Sequence, residues 1–394
     1  MESTPKTEIS RRIEKLQSKL KEQEVDAALI TQNVDIFYFS GSAQKGHLII
    51  PAEGEACYLV SKSFSRAQKE TPLANVQYQE SFRELPQKLQ ETAPATKKLG
   101  LELDVLPVSL YFRYQKIFPD LELVDISPLI QELRMYKSPY ELEIMHKGAE
   151  ISRKMLESVP GLLSAGKKEV EFAAELEHLM RNLGHQGAVR MRQYNQEVFY
   201  GHIMSGENLT YASFFDGPTG GPGLSPAFPQ GPGWKTIEQG DTVLVDYVSV
   251  YNGYCVDCTR IFSLGDPPEK TQKAHQAALL IAEEVIKAAK PGTPCSDLYK
   301  LALEMAAELG YRDNFMGYGR DQAGFIAHGV GLELDELPVL TAKQHFPLAE
   351  GMVFALEPKI LFAGTAVTGV ENTVYFNGKN LQKLTHHPEE IIRV

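Results

Sequence analysis

The stretch Thr242–Phe262 (TVLVDYVSVYNGYCVDCTRIF) constrains the fold more than any other part of the chain. Two runs rich in β-branched and aromatic residues flank Asn252-Gly253, a pair favoured in two-residue type I′ turns. A turn there pairs Tyr251 with Tyr254 and thereby sets every other partner: Asp246 opposite Thr259, Asp257 opposite Val248. The two aspartates then lie diagonally on one sheet face, about 7–8 Å apart at their backbones and within joint reach of a metal ion. Two buried carboxylates side by side repel each other and are costly to desolvate, and a cation between them removes that cost. Taken alone, the hairpin is equally compatible with two acids on a solvated face, although Val248, Val250 and Cys255 beside them are not polar. Cys255 and Cys258 form a C-x-x-C, but on a continuous strand they point to opposite faces. That pair reads as structural rather than as a zinc or redox site.

The rest of the chain alternates. Ile9, Ile13, Leu16 and Leu20 recur at helical spacing within residues 8–24. Strand-like runs follow at 26–31, 35–40, 47–51, 56–61, 98–103 and 121–126, so the first part reads as an α/β unit. Leu133–Tyr140, with its Ser-Pro, marks a boundary. The expected domains are 1–135 and 136–394. The second holds two helix-then-strand blocks, 141–265 and 270–394, with Ser296 as a candidate N-cap of a helix over 296–309. Between Gly217 and Gly233, eleven of seventeen residues are Gly or Pro, which excludes a helix or a central strand. The surrounding loop, 207–235, carries Tyr211, Phe214, Phe215, Phe228 and Trp234. A loop this long reads either as a lid or specificity wall beside a site, or as a surface or dimer-packing insertion.

Composition narrows the function. A net charge of −11 repels phosphate backbones, so nucleic acid is not an expected partner. No apolar run approaches a membrane span and the N-terminus lacks a signal-peptide stretch, so no membrane association is expected. Four cysteines are too few for a disulfide scaffold, and a reducing, cytoplasmic location is the expectation.

Three downstream segments supply further ligand types. His328 sits between small residues in AHGVGL, Glu357 ends the apolar run MVFALEP, and Glu371 lies inside the apolar run GVENTV. An acid in so apolar a strand is costly unless paired or ligating. Asp, Asp, His, Glu and Glu, in that order, together with the strings VLVDYVSVYNGYCVDCTR, AHGVGL, GMVFALEP and GVENTV, resemble the metal-dependent Xaa-Pro peptidases: aminopeptidase P, prolidase and the related creatinase. Residues 12–40 and 134–149 also resemble that family. The resemblance covers most of the chain. It implies a creatinase-like α/β N-terminal domain followed by an α+β pita-bread catalytic domain. It implies that Asp246 binds one metal, that Asp257 and Glu371 bridge two, and that His328 and Glu357 bind the other. Glu357 would also act as the catalytic base. Two divalent ions are therefore expected, and the oxygen-rich set suits Mn²⁺, with Co²⁺, Fe²⁺ or Zn²⁺ as alternatives. A small peptide substrate and a homodimer are further expectations of the resemblance.

The chain departs from the family's pattern where additional histidines are expected. Asp335 stands at one such position, Gly324 at another, and Ser213 falls near a third. His202 is a candidate to supply a missing imidazole, and Asp335 to supply a hydrogen bond. Because of these changes, two alternatives stand beside a dinuclear Xaa-Pro peptidase. One is a metalloenzyme of the same fold acting on a small amide or as a lyase. The other is a binding protein without catalysis.

Overall fold

The computed structural model describes residues 3–394. Its internal contacts divide the chain between Arg134 and Met135. In the first unit, a six-stranded sheet runs in the order Val76–Tyr78, Cys57–Val60, Gly46–Pro51, Ala27–Ile30, Lys98–Leu101, Glu122–Asp125. The helix Lys6–Glu22 buries Ile9, Ile13, Leu16 and Leu20, the residues its spacing selects. The run 35–40, expected as a strand, is instead part of the helix Asn33–Ser40. A short apolar run has no period to decide between the two states, so the ends decide. The Gln32 side chain accepts the N–H groups of Val34 and Asp35, and Gly41 closes the helix at a φ of 75°.

The second unit is built on a nine-stranded sheet. Its main path is Glu336–Thr341, Phe325–Gly329, Val353–Leu356, Glu371–Phe376, Tyr254–Ser263, Thr242–Tyr251, Gly201–Ser205. The hairpin register is the one Asn252-Gly253 dictates, with Tyr251 opposite Tyr254, Asp246 opposite Thr259 and Val248 opposite Asp257. Both turn residues have positive φ, 45° and 89°. One face of the hairpin (Val243, Val245, Tyr247, Cys258, Phe262) packs with Met155, Leu156, Phe172 and Leu176 of the helices Pro139–Leu162 and Glu169–Asn182. The helices Glu269–Ala288 and Cys295–Glu308 cover the later strands in the same way. The latter begins one residue before the expected cap, after Pro294, and the Ser296 hydroxyl bonds His345 Nδ1 at 2.9 Å.

The opposite face of the hairpin carries Leu244, Asp246, Asp257, Thr259 and Ile261. A two-stranded ribbon, Lys359–Phe362 and Ala366–Gly369, lies on it, with Leu361 and Val367 packed against Leu244 and Ile261. Lys359 pairs with Gly369, whose φ is 147°. A Cβ at Gly369 would lie 2.3 Å from the Pro358 carbonyl oxygen, so only glycine lets the ribbon start this close. The Lys359 carbonyl also accepts the Met316 N–H at 2.8 Å.

His185 ties the segment after the second helix to the strand of Asp246. Its Nε2–H donates to the Val248 carbonyl at 3.0 Å and its Nδ1 accepts the Gly187 N–H at 2.9 Å, which defines a neutral tautomer. Burial pushes its pKa down to about 4. Between the unfolded value of 6.5 and about 4, the unfolded chain takes up a proton that the folded protein refuses. The stability held by this histidine is therefore full above pH 6.5 and is lost as pH falls through 4. Urea titrations from pH 7 to 4 should show wild type losing stability faster than His185→Gln. Parallel curves would remove His185 as the cause.

Candidate metal centre

Thr259 pairs with Asp246 on one side and Glu371 on the other, so three strands bring Asp246, Thr259 and Glu371 into one row. The Thr259 hydroxyl donates to Glu371 Oε2 at 2.6 Å. Asp257 lies two residues further along the same face, its Oδ1 accepting the Cys258 N–H at 2.9 Å. His328 faces Ala355 across the next strand pair, and Glu357 follows directly, its N–H donated to the Ile326 carbonyl at 3.0 Å. His328 Nε2 ends 3.9 Å from Asp257 Oδ2, 3.8 Å from Glu357 Oε1 and 3.7 Å from Glu371 Oε1. Its Nδ1 is 2.8 Å from the Leu334 carbonyl oxygen. A carbonyl only accepts, so Nδ1 carries a hydrogen and Nε2 is the ring nitrogen that faces the carboxylates. Ligand atoms of Asp257, His328 and Glu371 all lie within 4.8 Å of one another. These three offer one nitrogen and two carboxylates to a divalent cation with bonds of about 2.0–2.2 Å, and Glu357 Oε1 lies beside them, 3.8 Å from the same imidazole nitrogen.

The other side of this cluster is occupied by a residue the sequence reading left without a role. Lys359 Nζ donates to Asp246 Oδ2 at 2.9 Å, Glu357 Oε2 at 2.9 Å and Glu371 Oε2 at 3.0 Å. Asp246, to which the resemblance assigned a metal, thus faces an ammonium. Glu357 and Glu371 divide their oxygens, one toward Lys359 and one toward His328. A lysine two residues after Glu357, in an apolar strand, was the available signal.

The charges polarise one another. Burial opposes a charged His328, but Glu371, Glu357 and Asp257 outweigh it and push its pKa up to about 10. That shift reports the negative potential at Nε2, the same potential that draws a divalent cation. Burial, joined by the Glu371 and Asp246 charges, raises Asp257 well above the carboxylate range. Burial lifts Glu357 to about 7, with Lys359 pulling the other way. Glu371 is held well below its ordinary value by Lys359 and His328, against its burial.

The cluster floors a cavity of about 570 Å³. His202, paired with Asp246 across the strands, lines it and bonds Gln230 Oε1 at 3.1 Å. Gln230 in turn donates to the Glu197 carbonyl, so this imidazole is wired into the loops of the cavity wall. Of the Gly/Pro-rich loop, residues 212–219 form part of the wall, with Phe215 edge-on to His202 at 5.2 Å. Tyr211, Phe228 and Trp234 lie outside this lining and are exposed. Glu169, also missed in the sequence, gathers the loop's two ends. Its carboxylate accepts from Ser205 N–H and hydroxyl, Asn208 Nδ2 and Gly233 N–H at 2.7–2.9 Å. Asp335, the candidate to supply a hydrogen bond, lines the cavity and bonds to its wall. Its two oxygens accept the backbone N–H groups of Arg192 and Gln193, both at 2.7 Å, so it clamps the facing wall. Ser213 and Gly324 line the cavity as well.

Residues 143–377 match metallopeptidase family M24, and residues 12–136 match the creatinase/prolidase N-terminal domain. The chain belongs to metallopeptidase family M24. This M24 peptidase is 29% identical over 384 residues to an Xaa-Pro dipeptidase of Pyrococcus furiosus, covering 97% of this chain and 99% of that one. Among solved structures, an Xaa-Pro dipeptidase from Bacillus anthracis superposes with a TM-score of 0.84 at 25% identity, over 98% of this chain and 100% of that one. An X-Pro aminopeptidase from Thermotoga maritima gives 0.79 at 27% identity, over 97% and 99%. The fold is therefore the creatinase N-terminal domain followed by the M24 catalytic domain, and M24 metallopeptidases use divalent metals.

Two outcomes follow for this M24 enzyme. Asp257→Ala and Glu371→Ala should each abolish Mn²⁺ binding by calorimetry, and near-native affinity in either would remove that residue from the ligand set. Asp335→Ala should keep its metal, destabilise the fold by about 2 kcal/mol and speed hydrogen exchange at residues 190–193. Unchanged exchange there would refute the clamp.

Proposed function

We propose that this chain is a metal-dependent Xaa-Pro peptidase that releases the residue before proline from dipeptides or short peptides. The observation that carries this reading is the imidazole–carboxylate cluster flooring a 570 Å³ cavity, in a chain alignable end to end with Xaa-Pro dipeptidases. The volume falls in the usual range for small-ligand sites. A divalent cation held by Asp257, His328, Glu357 and Glu371 would polarise the scissile carbonyl and make a nucleophile available near neutral pH. Glu357, a carboxylate beside that cation, would take the proton from the attacking water and pass it to the leaving nitrogen. Phe214, Phe215 and Val339 give the cavity apolar wall for a pyrrolidine ring.

The oxygen-rich donor set supports Mn²⁺ ahead of Co²⁺, Fe²⁺ or Zn²⁺. The four cysteines are buried thiols, which supports a reducing cytoplasmic setting. No helix among the described residues is long and apolar enough to cross a membrane. A homodimer, the expectation from the resemblance, is tested by light scattering. For the activity, a panel of Xaa-Pro dipeptides, longer Xaa-Pro peptides, Xaa-Ala controls and small amides is assayed with added Mn²⁺. Cleavage confined to Xaa-Pro substrates is expected, with Glu357→Gln slower by about 10²-fold or more. Turnover of the controls but not of Xaa-Pro substrates would overturn the reading.

A further inference from the structure

The Lys359 ammonium lies where the expected pair of metal ions needs its second member. Its three N–H donors meet three carboxylate oxygens, from Asp246, Glu357 and Glu371, at 2.9–3.0 Å. The donor capacity of a lysine is thereby filled. A metal ion bonded to those same oxygens would stand about 2.0–2.2 Å from each. It would share the axis of one oxygen triangle with Nζ. Two positive charges at such separation, with no atom between them, repel strongly in a buried site.

Nor is the lysine placed to leave. Lys359 is 2% exposed. Its backbone is held by Gly369 on one side and by the Met316 N–H on the other. The ribbon that carries it is packed through Leu361 and Val367 on the hairpin that carries Asp246 and Asp257. The nitrogen is therefore delivered by main chain and core packing, not by a mobile surface arm. Thr259 adds a further donor to Glu371 Oε2, so that oxygen is already doubly satisfied. The oxygens left over, Asp257 Oδ2, Glu357 Oε1 and Glu371 Oε1, all lie 3.7–3.9 Å from His328 Nε2, on the side away from the ammonium.

We propose that this enzyme carries a single divalent cation, held by Asp257, His328, Glu357 and Glu371, and that the Lys359 ammonium fills the second cation position beside Asp246. This rests on the metal-dependent reading above. An ammonium offers charge and hydrogen bonds but no open coordination site, so Asp246 serves to seat Lys359 rather than to bind metal. Lys359 thereby also positions Glu357 and Glu371, fixing one oxygen of each so that the other turns to the cation.

The test counts metal. Full-length protein is stripped, saturated with Mn²⁺ and passed through a desalting column. It is then measured by plasma mass spectrometry and by electron paramagnetic resonance. Wild type should hold about one Mn²⁺ per chain and show the six-line spectrum of an isolated ion, because two carboxylate-bridged ions would couple and broaden it. Lys359→Arg should stay at one. Lys359→Ala, which removes the ammonium and opens its space, should rise to about two with a broadened spectrum. Two ions in wild type, or none at saturation, overturns the proposal whatever the variants do. One ion in both wild type and a folded Lys359→Ala overturns the assignment to Lys359. The same preparations are assayed on Xaa-Pro dipeptides. Absence of cleavage with one ion bound sinks the peptidase reading alone, and cleavage with two ions bound sinks only the single-cation proposal.

Discussion

Four carboxylates on one sheet face, nearly all withdrawn from water, are the constraint around which the catalytic unit is built. Left to themselves they repel, and burial adds to the cost of each charge. The structure answers with positive charge and with donors. Lys359 lies among three of the four, Thr259 caps Glu371, and His328 brings the nitrogen that completes a cation site. The arrangement is tight because register enforces it. Thr259 is the shared partner of Asp246 and Glu371, so one slipped residue in either pairing would turn a carboxylate to the helix-covered face.

Support for this face comes from parts of the chain that carry no ligands. Arg260, fully buried, donates to the carbonyls of Thr259, Glu371, His387 and Pro388 and to Asn372 Oδ1. It thus holds the Glu371 strand to the hairpin from behind. The turn after His328 is set by Glu336, which accepts the Glu333 N–H and pairs with buried Lys137 at 2.9 Å. That turn presents the Leu334 carbonyl that fixes the imidazole's tautomer. Glu169 and Asp335 do comparable work for the cavity walls, each accepting backbone N–H groups of loops that have no ladder of their own.

What could be read beforehand was what is local. The hairpin register followed from two residues, Asn252 and Gly253, because a type I′ turn leaves no freedom in the pairing. The helices with sustained 3.6 spacing were legible for the same reason. The helix at 33–40 was not, since an unbroken apolar run carries no period and the deciding cap came from Gln32, outside the usual cap residues. The roles of Asp335 and Glu169 were illegible for another reason. Asp335 meets Arg192 and Gln193 across more than 140 positions, and Glu169 reaches Gly233 across 64. Pattern in a sequence names residue types, whereas a long-range partner exists only once the topology is known.

The same limit bears on reading metal number from a ligand pattern. Asp, Asp, His, Glu, Glu states how many donors converge, not how many cations they meet, because a donor set is neutral about what fills it. Here the filling depends on a ribbon of eleven residues, 359–369, whose only sequence marks are a lysine after Glu357-Pro358 and a glycine at 369. Gly369 lets the ribbon begin against the Pro358 carbonyl, and that close start puts Lys359 Nζ over Asp246. A bulkier residue at 369 would push the ribbon outward and withdraw the ammonium without altering a single ligand. On the single-cation proposal, the number of metal ions this chain binds is set by backbone approach at one glycine and by one buried ammonium, and not by the ligand types alone.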